Sequence, residues 1–295
     1  MKKITRKDIK KSFPARPLTA NKGTFGRVLV VAGSASMTGA AVLCAKSALM
    51  AGAGLVTLAL PESRQQIAAS SAPEVITVPL PETDGLINLH ALPVLDAYIK
   101  TRKPSLAVIG PGLGASSAAV PFMKQCGLPL VADADALNRL AASGLDAVFP
   151  RREPGILTPH PGEMGRLLKE PVALDEPARQ YQVQTLFERT GAVSLIKGYG
   201  TLVYAGEDAW QNTTGGPALA KAGSGDVLCG LIAGFWAQLG MANGFDTQSA
   251  FQAVLCGVYL HGLCGDLAAK DLTDTCVLAG DLLRYLPAAI KKTVQ

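Results

Sequence analysis

The chain has few of the residues that mark several classes of protein. Only 17% of its 295 residues are charged, which argues against a coiled coil or a helical repeat. It has no CxxC pair, so its six cysteines predict buried thiols in a reducing compartment rather than disulfides. His261 and Cys264 have a helical spacing but no second pair to complete a metal site, which favours packing. Instead, 48% hydrophobic residues and 31 glycines predict a loop-rich α/β enzyme and exclude disorder.

The excess of positive charge is confined to the N-terminal end. The first 27 residues contain nine Lys or Arg and one Asp, so the remaining residues carry a small negative charge. A nucleic-acid surface would spread basic residues over a folded face with aromatic residues between them. We therefore predict a solvated basic arm over residues 1–26 and no nucleic-acid partner.

No apolar run typical of a secretory signal is present at the N-terminus. The longest uncharged stretch, residues 227–245, contains Gln, Asn and four Gly, which fits a buried helix and loop better than a membrane span. These patterns predict a cytoplasmic protein that does not bind membranes.

Short apolar segments alternate with helical segments over the first 160 residues. Strands are predicted at 27–32, 55–59, 75–78, 106–109, 130–132 and 156–157, and helices at 38–51, 62–70, 116–125 and 136–142. Near-continuous apolar strands in this alternation predict a mostly parallel central sheet with helices on both faces.

After residue 190 the pattern changes. Three strands at 192–196, 201–204 and 208–212 are joined by loops too short for crossover helices, which predicts an antiparallel edge. Helices follow at 227–239, 248–267 and 276–285. No Ser-rich or Pro-rich linker interrupts the chain, so residues 27–295 are predicted to form a single domain.

Ligands of such sheets bind at the carboxyl ends of the strands. The loops expected there are 33–39, 110–114, 133–135, 158–163, 197–201 and 213–226. The first loop has neither the GxGxxG spacing of a dinucleotide fold nor the Gly-Lys-Ser/Thr of a P-loop, which argues against a dehydrogenase or a P-loop ATPase. Its small residues permit either close approach of a ligand or tight packing.

The densest group of unusual residues is Gly223-Ser224-Gly225-Asp226, directly before an apolar helix. Backbone N–H groups at a helix start bind anions, so the first three residues predict a hole for a phosphoryl group. Asp226 would then accept the proton of a hydroxyl. The alternative is an Asp that caps the helix. The nearby Lys221 favours the catalytic interpretation.

Four further loops carry candidate ligand contacts. The glycines of residues 110–114 leave room for close approach of a ligand to the backbone. Asp133 and Asp135 could hold Mg²⁺ directly or through water, or could cap the next helix. His160 lies between two prolines that fix its direction, which favours ligand contact over a structural role. Residues 197–201 could lie against a nucleotide or form a plain turn that leaves a solvated Lys197.

Taken in order, these motifs resemble the ADP/ATP-dependent NAD(P)H-hydrate dehydratase family, which belongs to the ribokinase-like superfamily. The resemblance covers nearly the whole chain and rests on KGTFGRVLVVAGS at 22–34, TGAA at 38–41, GPGLG at 110–114, DADALN at 133–138, TPHPGE at 158–163, KG at 197–198 and GSGD at 223–226. It implies a ribokinase-like fold. It also implies repair of hydrated NADH or NADPH, in which ADP or ATP with Mg²⁺ phosphorylates the C6 hydroxyl and phosphate is then eliminated.

The resemblance also implies roles for individual residues. Asp226 would be the base, with Gly223, Ser224 and Gly225 around the transferring phosphoryl group. The substrate would contact Ala41, Gly112, Gly114, His160 and Asp226. The nucleotide would contact Lys197, Gly198, Tyr199, Gly200, Thr201 and Gly225.

Two departures from the family pattern bear on these roles. Asn21 stands where family members often have His. Only about twenty residues precede Lys22, which leaves no room for the epimerase domain of many relatives. The resemblance therefore implies a stand-alone enzyme that acts on the S epimer, depends on a separate epimerase and assembles as a homo-oligomer, with ADP favoured over ATP.

Two other functions remain open from the sequence. A small-molecule kinase of the same fold, acting on a vitamin precursor such as hydroxyethylthiazole, would share the Gly-Ser-Gly-Asp step. A non-catalytic nucleotide sensor would bind the nucleotide without turnover.

Overall fold

The computed structural model describes residues 1–294. Its strands are β1 (Lys2–Lys3), β2 (Arg27–Val31), β3 (Leu55–Pro61), β4 (Ile76–Leu80), β5 (Glu82–Thr83), β6 (Leu86–Ile87), β7 (Leu106–Ile109), β8 (Leu130–Ala132), β9 (Gly155–Leu157), β10 (Val193–Ile196), β11 (Leu202–Tyr204) and β12 (Trp210–Gln211). Its helices are α1 (Arg6–Ser12), α2 (Thr38–Met50), α3 (Gln65–Ser71), α4 (Ala91–Arg102), α5 (Ala119–Gln125), α6 (Asp135–Ser143), α7 (Pro161–Leu168), α8 (Glu176–Thr190), α9 (Ser224–Asn243), α10 (Thr247–Cys276) and α11 (Ala279–Val294).

The main sheet runs in the order β1-β12-β11-β10-β9-β8-β7-β2-β3-β4, and β5 and β6 form a separate hairpin. From β10 to β4 every neighbouring pair is parallel, whereas β11 pairs antiparallel with both β10 and β12. The prediction of a mostly parallel sheet with an antiparallel edge is confirmed. The strand order reverses between β2 and β7, where the following loops meet: the N–H of Gly33 donates to Pro111 O at 2.9 Å.

Each face of the sheet is covered by its own set of helices, as predicted. One core packs α1, α2, α3, α9, α10 and α11 against the sheet, and the other packs α4 to α8. Helix α9 is buried on almost every side, which explains why its sequence is apolar throughout rather than striped. Helices α9 and α10 are long and apolar enough to cross a membrane, but 78% of each apolar window is buried in the fold, as in core helices.

The first residues of the chain are part of the fold. Strand β1 pairs in parallel with β12, and Ile4 and Ile9 are fully buried. Arg6 Nε donates to Thr293 O at 3.1 Å, which ties α1 to the last helix. The prediction that residues 1–26 are a solvated arm is therefore wrong, because two isoleucines among the lysines supply an apolar face. The domain boundary after residue 26 stays a prediction.

Several helices on the second face were not predicted. Helices α4 and α8 lie in segments without a clear apolar stripe, and α7 is short and begins inside the predicted 158–163 loop. The end signals of α8 were present in the sequence: Asp175 caps α8 through a bond from Ala178 N at 2.8 Å, and Gly191 ends it in a left-handed conformation.

The expectation of buried thiols holds for every cysteine except Cys276, which is exposed.

Candidate functional site

A cavity of about 840 Å³ opens at the carboxyl end of β10. All five residues of the predicted nucleotide loop, 197–201, line it. The opposite wall comes from residues 212–221, and Ser224 and Gly225 at the start of α9 also line it. The structure thus brings the 197–201 loop and the predicted anion hole to one cavity.

Helix α9 begins at Ser224, three residues before the predicted start at 227, and this places Asp226 in its first turn. Gly223 is the N-cap residue, with φ of +87°, and no side chain caps the helix. Within residues 1–294 the Asp226 carboxyl group takes part in no hydrogen bond, so it does not serve as the cap. Burial raises the pKa of Asp226 to about 7, with Asp133 adding to the increase and Lys197 opposing it. The group can therefore exchange a proton near neutral pH.

Lys197 binds the carboxylates at the ends of the neighbouring strands. Its Nζ lies 2.7 Å from Asp133 Oδ1 and 3.8 Å from Glu163 Oε2. Burial opposes its charge, but the two acidic residues outweigh burial and raise the pKa of Lys197. A Cβ added to Gly225 would lie 3.5 Å from the same Nζ, so the amine also adjoins the start of α9. Lys197 thus connects three loops of the site.

His160 has a structural role that its sequence context did not reveal. It is the N-cap of α7: Nδ1 accepts a hydrogen bond from Gly162 N at 3.0 Å, and Glu163 Oε2 accepts one from His160 N at 2.8 Å. Burial and the charge of Lys197 lower the pKa of His160, which favours the neutral ring with its proton on Nε2. The ring is half exposed and also lines the cavity. Its contact with a ligand stays a prediction.

The other residues predicted to contact the substrate lie away from the cavity wall. Ala41 is fully buried in α2, and Gly114 N donates to Asp135 Oδ2 at 2.8 Å. A Cβ at Gly112 would lie 2.5 Å from Met37 O. At Gly110, with φ of +126°, a Cβ would lie 1.8 Å from Asp133 O. These loops therefore pack against one another at the reversal of strand order, and a substrate role for them stays a prediction.

Asp133 and Asp135 are both engaged by the protein. Asp133 Oδ1 accepts from Lys197, and Asp135 Oδ2 accepts from Gly114. Neither caps α6, because its N-cap is Ala134, which has a strained φ of +51° and ψ of −119°. Over residues 1–294 no three His, Cys, Asp or Glu side chains are arranged to hold a metal ion. A magnesium ion here would need oxygen ligands from phosphates and water, which is its usual preference.

The site contains two residues that we did not predict to belong to it. His261 of α10 places Nε2 3.1 Å from Ser224 Oγ and 3.0 Å from Ser224 O, and it lines the cavity. Burial lowers its pKa to about 4, so the ring is neutral and holds the first residue of α9. Arg179 of α8 donates to backbone carbonyls of the 197–201 loop. A polar residue in an apolar helix was the only sequence signal for His261, and Arg179 gave none.

Comparison with known protein families gives one match over most of the chain. The model of the family described as NAD(P)H-hydrate dehydratase matches residues 28–288. A bifunctional NAD(P)H-hydrate repair enzyme from Moorella thermoacetica is 40% identical over 95% of the chain. The chain spans only about half (52%) of that relative. An ADP-dependent (S)-NAD(P)H-hydrate dehydratase from Lactiplantibacillus plantarum is 32% identical over 91% of the chain and 90% of its own length.

Solved structures give the same similarity. The ADP/ATP-dependent NAD(P)H-hydrate dehydratase from Bacillus subtilis, co-crystallized with ATP and Mg²⁺, superimposes with a TM-score of 0.82 at 30% identity. The match covers 99% of this chain and 98% of that one. The fold is ribokinase-like, as its more distant structural neighbours also show.

Proposed function

The chain belongs to the NAD(P)H-hydrate dehydratase family, and we propose that it restores NADH and NADPH from their hydrates with ADP or ATP as phosphoryl donor. The observation that carries this proposal is Asp226. Its carboxyl group is partly buried, makes no hydrogen bond within residues 1–294 and has a pKa raised to about 7 by burial. It lies in the first turn of α9, directly after two residues that line the cavity.

The proposed reaction has two stages. Asp226 removes the proton of the C6 hydroxyl while the hydroxyl oxygen attacks the terminal phosphorus of the nucleotide. The bond from that phosphorus to the bridging oxygen breaks. The C6–O bond then breaks with its electron pair on the departing phosphate, assisted by the ring nitrogen lone pair. Loss of a proton from C5 restores the dihydropyridine. Phosphorylation is needed because hydroxide is a poor leaving group and phosphate is a good one.

We propose that Gly223, Ser224 and Gly225 surround the transferring phosphoryl group. The N-terminus of a helix offers free N–H groups and a favourable dipole for an anion. His261 holds Ser224 by hydrogen bonds to its hydroxyl and carbonyl oxygens, which fixes the first turn. The predicted contacts of the hydrate, Ala41, Gly112, Gly114 and His160, remain part of this proposal.

Lys197, Gly198, Tyr199, Gly200 and Thr201 are the proposed nucleotide contacts. The Mg²⁺ that accompanies ATP in the B. subtilis structure would bind the nucleotide phosphates here. Asp133 and Asp135 would contact it through water, because Asp133 Oδ1 and both oxygens of Asp135 already accept hydrogen bonds from the protein. The ion would neutralise phosphate charge close to the acidic side chains.

The biological setting of the reaction is also a proposal. The bifunctional relatives carry more chain than the part matched here, and we propose that a separate epimerase supplies the S epimer. We further propose a cytoplasmic homo-oligomer. Residues 27–295 would act as the single dehydratase domain, with residues 1–26 as an extension folded against it.

The deciding experiment is incubation of the protein with NADH hydrate, Mg²⁺ and either ADP or ATP. A dehydratase restores absorbance at the NADH band and releases one phosphate for each NADH. A small-molecule kinase would leave the hydrate unchanged and phosphorylate hydroxyethylthiazole instead. Binding of the nucleotide without turnover of either compound would indicate a sensor. The ratio of the ADP and ATP rates gives the preferred donor.

A further inference from the structure

The 197–201 loop has an unusual distribution of hydrogen bonds. Five carbonyl oxygens in and beside it accept hydrogen bonds within the protein, among them Thr201 O, which accepts from Asn212 N at 2.9 Å. Arg179 Nη1 donates to Tyr199 O at 3.0 Å, and its Nη2 donates to Ile196 O and Gly200 O, both at 3.3 Å. Thr201 Oγ1 donates to Gly198 O at 3.0 Å. The loop is therefore held through its carbonyl groups.

Three N–H groups of the same loop, in contrast to its carbonyl groups, have no hydrogen-bond partner in the described part of the chain. Those of Gly198, Tyr199 and Gly200 donate to no acceptor among residues 1–294. In a trans peptide the C=O and the following N–H point in opposite directions. The bond from Arg179 to Tyr199 O therefore turns the N–H of Gly200 away from the guanidinium group. Gly198, Tyr199 and Gly200 all line the cavity.

We propose that Arg179 is a positioning residue for the nucleotide: by binding carbonyl groups of the 197–201 segment, Tyr199 O above all, it holds the loop in the conformation that directs the N–H of Gly200 at an acceptor atom of the bound ADP or ATP. This inference rests on the proposed function for the identity of the ligand. Arg179 is not itself among the residues that line the cavity.

Two features of the loop support this arrangement. Gly198 and Gly200 have φ of +142° and +61°, conformations that let the peptide planes turn as the three bonds require. Within residues 1–294 the guanidinium group donates only to carbonyl groups of the 196–200 segment, and its buried Nε has no hydrogen-bond partner. A guanidinium group spreads five donors over three nitrogens in one fixed plane, so it can reach carbonyls that lie apart, whereas an ammonium group presents its three donors from a single atom.

The test compares Arg179→Ala, Arg179→Lys and the control Arg189→Ala, which removes an exposed arginine of the same helix. ADP binding is measured by calorimetry without the hydrate, and KM is measured for each substrate. We expect Arg179→Ala to weaken the binding of ADP by about ten- to a hundred-fold and to leave the KM for the hydrate within about twofold of the wild-type value. The ADP affinity of Arg179→Lys should lie between those of Arg179→Ala and the wild-type protein. The affinity of Arg189→Ala should match that of the wild-type protein, and added guanidinium should restore part of the affinity that Arg179→Ala has lost.

Unchanged ADP affinity in Arg179→Ala would overturn the proposal, and so would equal weakening of both substrates with a lowered Tm. If Arg179→Ala does not fold, the same criteria apply to Arg179→Lys. Failure of the proposed function looks different. In that case the wild-type protein would not restore NADH, yet the loss of ADP binding in the Arg179 variants would still support the positioning role.

Discussion

Gly110 and Gly225 lie in two groups of loops at the same edge of the sheet, and their surroundings differ. A Cβ at Gly110 would overlap Asp133 O at 1.8 Å, whereas one at Gly225 would meet only Lys197 Nζ at 3.5 Å, an ordinary contact. We call residues 33–39, 110–114 and 133–135 the packed loops, and residues 197–201 with 212–225 the cavity loops. At Gly110 glycine lets one backbone approach another, whereas Gly216 and Gly225 lie beside open space on the cavity wall, where a ligand fits.

The two groups also differ in charge. The packed loops contain Asp133 and Asp135, and Asp133 is neutralised by Lys197. Among the residues lining the cavity, within residues 1–294, the only other lysine is Lys221, which is exposed. In the proposed reaction a nucleotide with several negative charges would therefore meet little fixed positive charge. Mg²⁺ and backbone N–H groups would then have to contribute to its binding.

The largest effect is expected at Asp226, between the two groups. Asp226→Asn keeps the size of the side chain but removes the base, so kcat should fall by about a hundred- to ten-thousand-fold with ADP affinity retained. In the wild-type protein, activity should fall as pH drops below about 7, since the base must be ionised. Near-normal turnover of the variant would show that Asp226 is not the base.

The same substitution has a consequence for stability. Burial raises the pKa of Asp226 from 3.8 to about 7, so between these values the folded chain binds more protons than the unfolded chain. The free energy of unfolding should therefore decrease as pH rises through this interval. Asp226→Asn should remove that decrease and raise the Tm at pH 8, and denaturation curves at pH 5 and pH 8 measure it.

The contrast between the glycines predicts the next effect. Gly110→Ala combines a positive φ with an overlap on Asp133 O, and it should lower the free energy of unfolding by about 3 kcal/mol or more. Gly225→Ala should change it by less than about 0.5 kcal/mol. Urea denaturation of both variants measures the free energy of unfolding. Equal losses of this free energy would remove the distinction between Gly110 in the packed loops and Gly225 beside the cavity.

Lys197 joins the packed loops to the cavity loops, so its removal should affect both. Lys197→Ala leaves Asp133, only 1% exposed, without its cation, which should cost about 3 kcal/mol of stability. We expect weaker binding of both the hydrate and the nucleotide. In a double-mutant cycle, Asp133→Asn should recover part of the lost stability. Simple addition of the two losses would mean that the pair is not coupled.

The smallest effect is expected at Lys221, which is exposed on the cavity wall. Lys221→Ala should weaken the binding of ADP by about three- to tenfold. The difference in ADP affinity from the wild-type protein should shrink at high salt because exposed charges are screened. Lys124→Ala, which removes an exposed lysine of α5, is the control. Titration with ADP at two salt concentrations gives the result, and a salt-independent difference would argue against a charge interaction.

The sequence was informative where burial decides structure. Apolar strands such as β7 and the continuous apolar helix α9 were predictable because a parallel sheet buries both faces. Helix α8 was not predicted, since its residues are mostly polar and only its ends carry signals. The pairing of Lys197 with Asp133, which lies 64 residues away, depends on the order of strands in space. The N-cap role of His160 was missed because histidine is an uncommon cap.

The pairing of β1 with β12 has a consequence for the order of events during synthesis. Lys2 lies opposite Trp210, and Arg6 binds the carbonyl of Thr293. At a translation rate of about 5 to 20 residues per second, the first strand has to wait roughly ten to forty seconds for its partner to be made. Strand β1 is thus synthesised well before it can pair, and it is among the last of the described strands to reach its native place. Until then Ile4 and Ile9 lack the neighbours that bury them in the finished fold, and the flanking lysines interrupt this apolar surface.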